Sequence, residues 1–163
     1  MRIKLNINKL LLIAVFFMSL SSKSQTVAVY KINDLLKRIH NNSDTTYIVN
    51  FWATWCKPCV AELPEFEKIH KESKDRKVKV LLVSMDFKEE LDKKLKDFLS
   101  KNKYTAEVVL LDEINGNDFI NKISEQWSGA IPATLITRKN KLKTIFHEGK
   151  MTYEMLEKAV SEK

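Results

Sequence analysis

Residues 52–59, Trp-Ala-Thr-Trp-Cys-Lys-Pro-Cys, contain both cysteines of the 163-residue chain. The run before them, from Thr46 to Phe51, is rich in β-branched and aromatic residues and has no polar alternation, which predicts a strand buried on both faces. After the second cysteine, apolar residues recur at helical spacing. These residues are Val60, Leu63, Phe66 and Ile69. The cysteines are therefore predicted to lie where a central strand passes into a helix.

The start of a helix is a position that activates a cysteine. The unpaired N–H groups and the positive dipole end found there favour a thiolate on Cys56, whereas an ordinary cysteine thiol titrates at about 8.5. Cys59 follows within the first helical turn, close enough to form a bond with Cys56. Pro58 also suits this turn, because a missing backbone N–H costs little there. The spacing at a strand-to-helix junction favours a redox pair.

Two other interpretations of Cys-x-x-Cys compete with a redox pair. A structural zinc ion needs about four ligands. Without a third cysteine, two of them would come from His40, His70 and His147, which show no ligand spacing. The second alternative is a passive structural disulfide, although so short a loop constrains the unfolded chain little. A redox pair is the preferred prediction.

The residues around the cysteines resemble a known family. Residues 49–59 (VNFWATWCKPC), followed by Glu62-Leu63-Pro64, resemble the active-site segment of thioredoxin-fold proteins. Within that superfamily they are most similar to the TlpA/ResA-like extracytoplasmic thiol-disulfide oxidoreductases. The resemblance implies that Cys56 is the nucleophile and Cys59 the resolving thiol. It also implies that Ile131-Pro132 is a cis peptide that faces the disulfide and contacts the substrate.

Several further residues are candidates for supporting the cysteines. Glu62 lies three residues after Cys59, on the same helix face, and matches an acid near the active site of ResA-like proteins. We predict that Glu62 assists proton transfer, the alternative being a partly exposed glutamate on the helix surface. Trp55 is predicted to cover the site, and the charge of Lys57 favours a thiolate. Asn50 stands where thioredoxins carry a buried acid, and asparagine cannot take a proton.

The N-terminus has the composition of a signal peptide. Residues 1–9 carry three basic residues and no acid, and the mainly apolar run from Leu10 to Leu20 that follows is too short to span a bilayer. Ser22 and Ser24 are small residues at the −3 and −1 positions of a cleavage site. Residues 1–24 are therefore predicted to be a signal peptide, with an uncleaved membrane anchor as the alternative. We expect the protein in the periplasm or cell envelope.

The net charge of the chain and its resemblance to the family indicate which binding partners to expect. The formal net charge is +7, and four basic residues lie within residues 1–24, which leaves +3 for residues 25–163. Lysines and acids are interleaved there without a basic stripe or an aromatic platform, so no nucleic-acid partner is predicted. The resemblance implies a disulfide-containing protein substrate and a membrane-bound electron donor. We also expect a monomeric protein. Exchange between thiols and disulfides needs no metal and no organic cofactor besides the Cys56–Cys59 disulfide, so none is predicted.

Apolar patterns of strand and helix type alternate along residues 25–163, which are long enough for one domain. Strands are predicted at Val27–Tyr30, Thr46–Phe51, Val78–Val83, Val108–Leu111, Ala133–Thr137 and Thr144–His147, and helical stripes in residues 32–39, 60–69, 91–99, 119–127 and 153–160. This order predicts an α/β, thioredoxin-like, three-layer fold with a central mixed sheet flanked by helices. The resemblance marks an extra helix and strand, between Val83 and Pro132, as an insertion before the cis-proline.

The sequence therefore predicts an exported protein thiol-disulfide oxidoreductase that reduces protein disulfides in the cell envelope. Two alternatives remain. The first, within the same class, is a dithiol oxidase or disulfide isomerase. The second is a non-enzymatic binding module that has a thioredoxin fold and an inert disulfide.

Overall fold

The computed structural model describes residues 26–41, 43–138 and 143–161. The predicted signal peptide, residues 1–24, lies outside these ranges, as does most of the predicted turn between the last two strands. Within the three ranges, no helix combines the length and the apolar composition that crossing a membrane requires.

The part of the chain that the structure describes contains six strands, which form one mixed sheet in the order β1-β4-β3-β2-β5-β6. They are β1 (Ala28–Tyr30), β2 (Thr46–Trp52), β3 (Val78–Ser84), β4 (Glu107–Leu111), β5 (Ala133–Arg138) and β6 (Lys143–Glu148). Strands β1 to β4 are parallel to one another, and β5 is antiparallel to both β2 and β6. The predicted mixed sheet, its edge strand β1 and its last hairpin are confirmed.

Strand β2 is the centre of the sheet. It pairs with β3 from Thr46 to Trp52 and, on its other edge, with β5. All seven of its residues are buried, which confirms the strand predicted from its β-branched and aromatic composition. Because both edges and both faces are covered, β2 gives the residues that follow it a rigid support.

Within the described ranges, five α-helices cover the two faces of the sheet. They are α1 (Ile32–Ile39), α2 (Lys57–Glu72), α3 (Lys96–Asn102), α4 (Ile120–Ile123) and α5 (Tyr153–Ser161). Side chains of α1 and α4 pack into the core on one face, and side chains of α2, α3 and α5 pack into the core on the other. The molecule therefore has the three predicted layers.

The predicted insertion lies between β3 and the loop that holds Pro132. A 3₁₀ turn (Lys88–Glu90) and a π-helical turn (Leu91–Leu95) lead into α3, and β4 follows. Strand β4 separates β1 from β3 in the sheet. The insertion therefore widens the sheet by one parallel strand.

One predicted helix is shorter than expected. Apolar spacing predicts a helix that includes Trp127, but α4 ends at Ile123 and Ser124 is extended (φ −159°, ψ 133°). The Ser124 hydroxyl accepts a hydrogen bond from the backbone N–H of Gln126 at 3.2 Å. Such a local bond competes with the helical pattern. Trp127 still lies in the core, with its ring centroid 4.9 Å from that of Phe51.

Candidate active site

The disulfide lies at the junction of β2 and α2. Cys56 is the N-cap residue of α2, and its Sγ lies 3.3 Å from the backbone N of Cys59. The two sulfurs are bonded, and the two Cα atoms are 5.3 Å apart. Cys56 is 6% exposed, whereas Cys59 is fully buried. Of the two cysteines, only Cys56 therefore keeps any surface that another molecule can approach.

The loop before β5 faces Cys56. Its Ile131–Pro132 peptide bond is cis, as predicted, and the carbonyl O of Ile131 lies 3.8 Å from Cys56 Sγ. Strand β6 holds this loop, because the Glu148 carboxylate accepts hydrogen bonds from the backbone N and the hydroxyl of Ser128, at 2.8 and 2.9 Å. A backbone carbonyl is thus fixed beside the accessible sulfur.

Glu62 is a buried carboxylate one helical turn after Cys59. It is only 3% exposed, so the alternative of a partly exposed surface glutamate is wrong. Its Oε1 accepts a hydrogen bond from Nδ2 of Asn50 and its Oε2 accepts one from the backbone N of Met151, both at 2.8 Å. Burial raises the pKa of Glu62, although the bonds from Met151 and Asn50 and the charge of Lys150 act in the opposite direction. This carboxyl group can exchange a proton closer to neutrality than an ordinary glutamate.

Asn50, on β2, can face Glu62 in two ways. Its Nδ2 also donates to Oγ1 of Thr134 at 3.2 Å, while its Oδ1 has no hydrogen-bond partner among the residues described. Turning the amide over exchanges its N–H donor for its C=O acceptor. Asn50 can therefore donate to a Glu62 carboxylate and accept from a Glu62 carboxylic acid. An amide at this position suits a neighbour that changes its protonation state.

A second buried carboxylate, that of Asp86, holds the loop that precedes the cysteines. It accepts hydrogen bonds from Oγ1 of Thr54 at 2.6 Å, from the backbone N of Thr54 and from Oγ of Ser84. The sequence patterns above do not identify Asp86. Its position could have indicated a role, because it lies two residues after a buried strand and the functional sites of parallel sheets lie at the carboxyl ends of their strands.

The remaining predicted site residues lie at the surface around Cys56. Trp55 is 60% exposed, so it presents most of its ring to solvent beside the disulfide rather than enclosing it. Lys57 and Pro58 are both exposed, and solvent therefore screens the charge of the lysine. Trp52, by contrast, is fully buried.

The arrangement contains the parts needed for thiol-disulfide exchange. An accessible sulfur sits at a helix N-terminus, a buried sulfur lies within bonding distance of it, and a buried carboxyl group follows on the same helix. In such an exchange a thiolate attacks a disulfide, and a second thiolate resolves the mixed disulfide that forms. The described ranges contain no group of three or more His, Cys, Asp or Glu residues placed to hold a metal ion.

Comparison with known proteins assigns the family. A sequence profile described as the AhpC/TSA family matches residues 23–145. The chain belongs to the AhpC/TSA family. The thioredoxin-like protein YneN of Bacillus subtilis is 34% identical to it over 110 residues, which make up 68% of this chain and 60% of YneN. The thiol-disulfide oxidoreductase ResA of Oceanobacillus iheyensis is 31% identical, with 47% of this chain and 48% of ResA matched.

A solved structure supports the fold of this AhpC/TSA-family chain. StoA from Bacillus subtilis superimposes with a TM-score of 0.56 and 25% identity, over 73% of this chain and 84% of StoA. The predicted thioredoxin-like fold and the similarity to ResA-like proteins are confirmed. The chain spans 60% of the length of YneN and 48% of that of ResA.

Proposed function

We propose that this AhpC/TSA-family protein is a thiol-disulfide oxidoreductase that reduces protein disulfides in the cell envelope. The observation that carries the proposal is the Cys56–Cys59 disulfide at the N-terminus of α2, with Cys56 accessible and Cys59 buried. The names of relatives support it. One is the ResA protein described above, and another is the sporulation thiol-disulfide oxidoreductase A of Bacillus subtilis, 33% identical over 69 residues.

The proposed reaction begins with both cysteines reduced. The Cys56 thiolate attacks one sulfur of a substrate disulfide, the bond between the two substrate sulfurs breaks, and one of them leaves as a thiolate. The Cys59 thiolate then attacks Sγ of Cys56, releases the second substrate thiolate and leaves the Cys56–Cys59 disulfide. Two electrons have passed to the substrate. We propose that a membrane-bound donor returns two electrons for the next cycle.

Cys59 must lose its proton before it can attack. The side chain is fully buried, so bulk water cannot accept that proton directly. Glu62 lies one turn further along the same face of α2, and burial raises its pKa, which makes it a better proton acceptor than an ordinary glutamate. In this proposal Glu62 takes the proton of Cys59, and the amide of Asn50 accommodates the change. The substrate backbone lies along Ile131 and Pro132, as the resemblance implies.

The reducing direction rests on how modestly the site stabilises a Cys56 thiolate. A strong oxidant needs its dithiol form stabilised by a very low thiolate pKa. The backbone N–H of Cys59 and the dipole of α2 favour the thiolate. The charge of Lys57 is screened by solvent, no histidine lies between the cysteines, and an ionised Glu62 opposes a second negative charge nearby. The disulfide is therefore comparatively stable, and the dithiol is a reductant.

Equilibration with glutathione tests this direction. If the reduction potential resembles the roughly −270 mV of thioredoxin, a buffer poised at about −200 mV should leave roughly one dithiol in two hundred molecules. Alkylation of free thiols followed by mass spectrometry gives the ratio. A protein that stays mostly dithiol in this buffer is an oxidant, and the oxidase alternative then replaces the reductase.

Export is a separate part of the proposal. We propose that residues 1–24 are removed as a signal peptide and that residues 25–163 form the mature domain. Protein purified from the envelope of its own host should therefore begin near Gln25, as determined by N-terminal sequencing. An active protein that retains Met1 contradicts cleavage and supports the uncleaved anchor.

A further inference from the structure

Three exposed apolar side chains stand at one end of the sheet. Trp55, Phe87 and Ile114 are 60%, 66% and 97% exposed, the highest values among the large apolar residues that the structure describes. Each lies three residues after the end of a strand. The strands concerned are β2, β3 and β4, which end at Trp52, Ser84 and Leu111. We call Trp55, Phe87 and Ile114 the apolar row.

The sheet topology arranges these residues in sequence. Strands β2, β3 and β4 are parallel neighbours, so their carboxyl ends meet at one edge of the sheet. Adjacent strands lie about 4.8 Å apart, so the ends of the three strands span roughly 10 Å. The apolar row therefore begins beside Cys56 and continues across the carboxyl edge, away from the disulfide.

Polar contacts link the three loops that carry the apolar row. Thr54, which precedes Trp55, donates hydrogen bonds to Asp86, which precedes Phe87. Lys88, which follows Phe87, forms an ion pair with Asp112 at 3.1 Å. Asp112 in turn lies two residues before Ile114. These contacts tie the loop after β2 to the loop after β3, and the loop after β3 to the loop after β4.

We propose that the apolar row is a docking surface for an apolar segment of the disulfide-containing protein substrate. This inference rests on the proposed function. Continuity with the reactive sulfur identifies the occupant, because a substrate bonded to Cys56 already lies beside Trp55 and can extend over the other two members. Covering exposed apolar surface is favourable in proportion to its area, and aromatic residues are frequent anchors of interfaces.

The apolar row also gives the insertion a role in recognition. Phe87 and Ile114 both belong to the segment between β3 and Pro132. That segment adds strand β4 to the sheet and, with it, a further loop at the carboxyl edge. Substrates with apolar residues near their disulfide should therefore be selected over substrates with polar residues there.

Two synthetic peptides of equal length test the docking surface. Both contain one intramolecular disulfide; one has leucine and valine beside it, and the other has serine and threonine. The wild-type dithiol should reduce the apolar peptide with a kcat/KM about tenfold higher than the polar one. In the Phe87→Ser/Ile114→Ser variant this ratio should fall to about two or less. Ile114→Ser alone, at a position that is almost fully exposed, should lower the ratio without any effect on the fold.

Met155→Ser is the matched control. Met155 is 38% exposed on α5, outside the apolar row, and its replacement should leave the ratio at the wild-type value. An unchanged ratio in the double variant, or an equal fall in the control, overturns the docking surface. A wild type that reduces both peptides equally well also overturns it, while the proposed function stands. A wild type that reduces neither peptide refutes the proposed function itself.

Discussion

A Cys59→Ser variant should accumulate almost entirely as a mixed disulfide with its substrate, joined through Cys56. The first attack needs only the accessible sulfur at the N-terminus of α2, and that sulfur is unchanged in the variant. The second step needs a thiolate, and a serine hydroxyl cannot replace it at neutral pH. Mass spectrometry after incubation with an oxidised peptide should show one peptide per protein. The wild type should show almost none.

Cys56→Ser is the matched control for this trapping experiment. Its remaining thiol, at Cys59, is fully buried in the oxidised protein, so the variant should form adducts far more slowly and should not reduce the peptide. Equal adduct formation by the two variants contradicts the assignment of Cys56 as nucleophile. Absence of adducts in both would instead favour the inert-disulfide alternative.

Glu62→Gln should slow the resolution of the mixed disulfide by about 10²-fold, the lower end of what a positioned acid–base group contributes. Glutamine keeps the size of the side chain and can keep the hydrogen bond from Met151, while Asn50 can turn its Oδ1, which has no partner among the described residues, towards the new amide N–H. The variant is therefore expected to fold normally yet to have no group that takes the proton of Cys59. Rapid-quench measurement of mixed-disulfide decay gives the rate.

A pH profile and a control variant separate proton transfer from structure. In the wild type, the resolution rate should rise as Glu62 loses its proton, and this limb should be missing from the Glu62→Gln profile. Glu65→Gln removes a carboxylate one turn later on the same helix, and its profile should match the wild type. A Glu62→Gln profile that keeps the wild-type limb would assign that limb to another group.

The raised pKa of Glu62 also affects stability with a definite sign. Above its ordinary pKa of about 4.5, the unfolded chain has lost this proton while the native protein still holds it. The native state then binds more protons, so the free energy of unfolding falls as pH rises and levels off once the raised pKa is passed. Urea denaturation of the oxidised proteins should show this decline in the wild type relative to Glu62→Gln.

Local patterns predict most of the fold but only the centre of the site. The strand before the cysteines and the helix after them follow from runs of neighbouring residues, and so does their junction at Cys56. The end of α4 does not follow from such runs. Apolar spacing alone would extend the helix to Trp127, but the Ser124 hydroxyl forms a local hydrogen bond that competes with helix formation. Short-range chemistry of this kind is easily missed when only periodicity is considered.

The contacts of Glu62 illustrate what the sequence does not reveal. Its partner Met151 lies 89 residues away, and Thr134, which binds Asn50, lies 84 residues from that asparagine. No periodic pattern relates such distant positions, so the burial of Glu62 and its raised pKa become visible only when the sheet is assembled. Asp86 is an intermediate case, because its position beside a strand end was a local clue although its bond to Thr54 was not.

The complete burial of Cys59 restricts how electrons enter and leave the protein. If only Cys56 can be reached from outside, the substrate and the electron donor must both bond to the same sulfur, and they cannot do so at the same time. The proposed cycle then alternates strictly between two half-reactions, and its kinetics are of the ping-pong type. An excess of either reaction partner would inhibit the other by competing for this single point of contact.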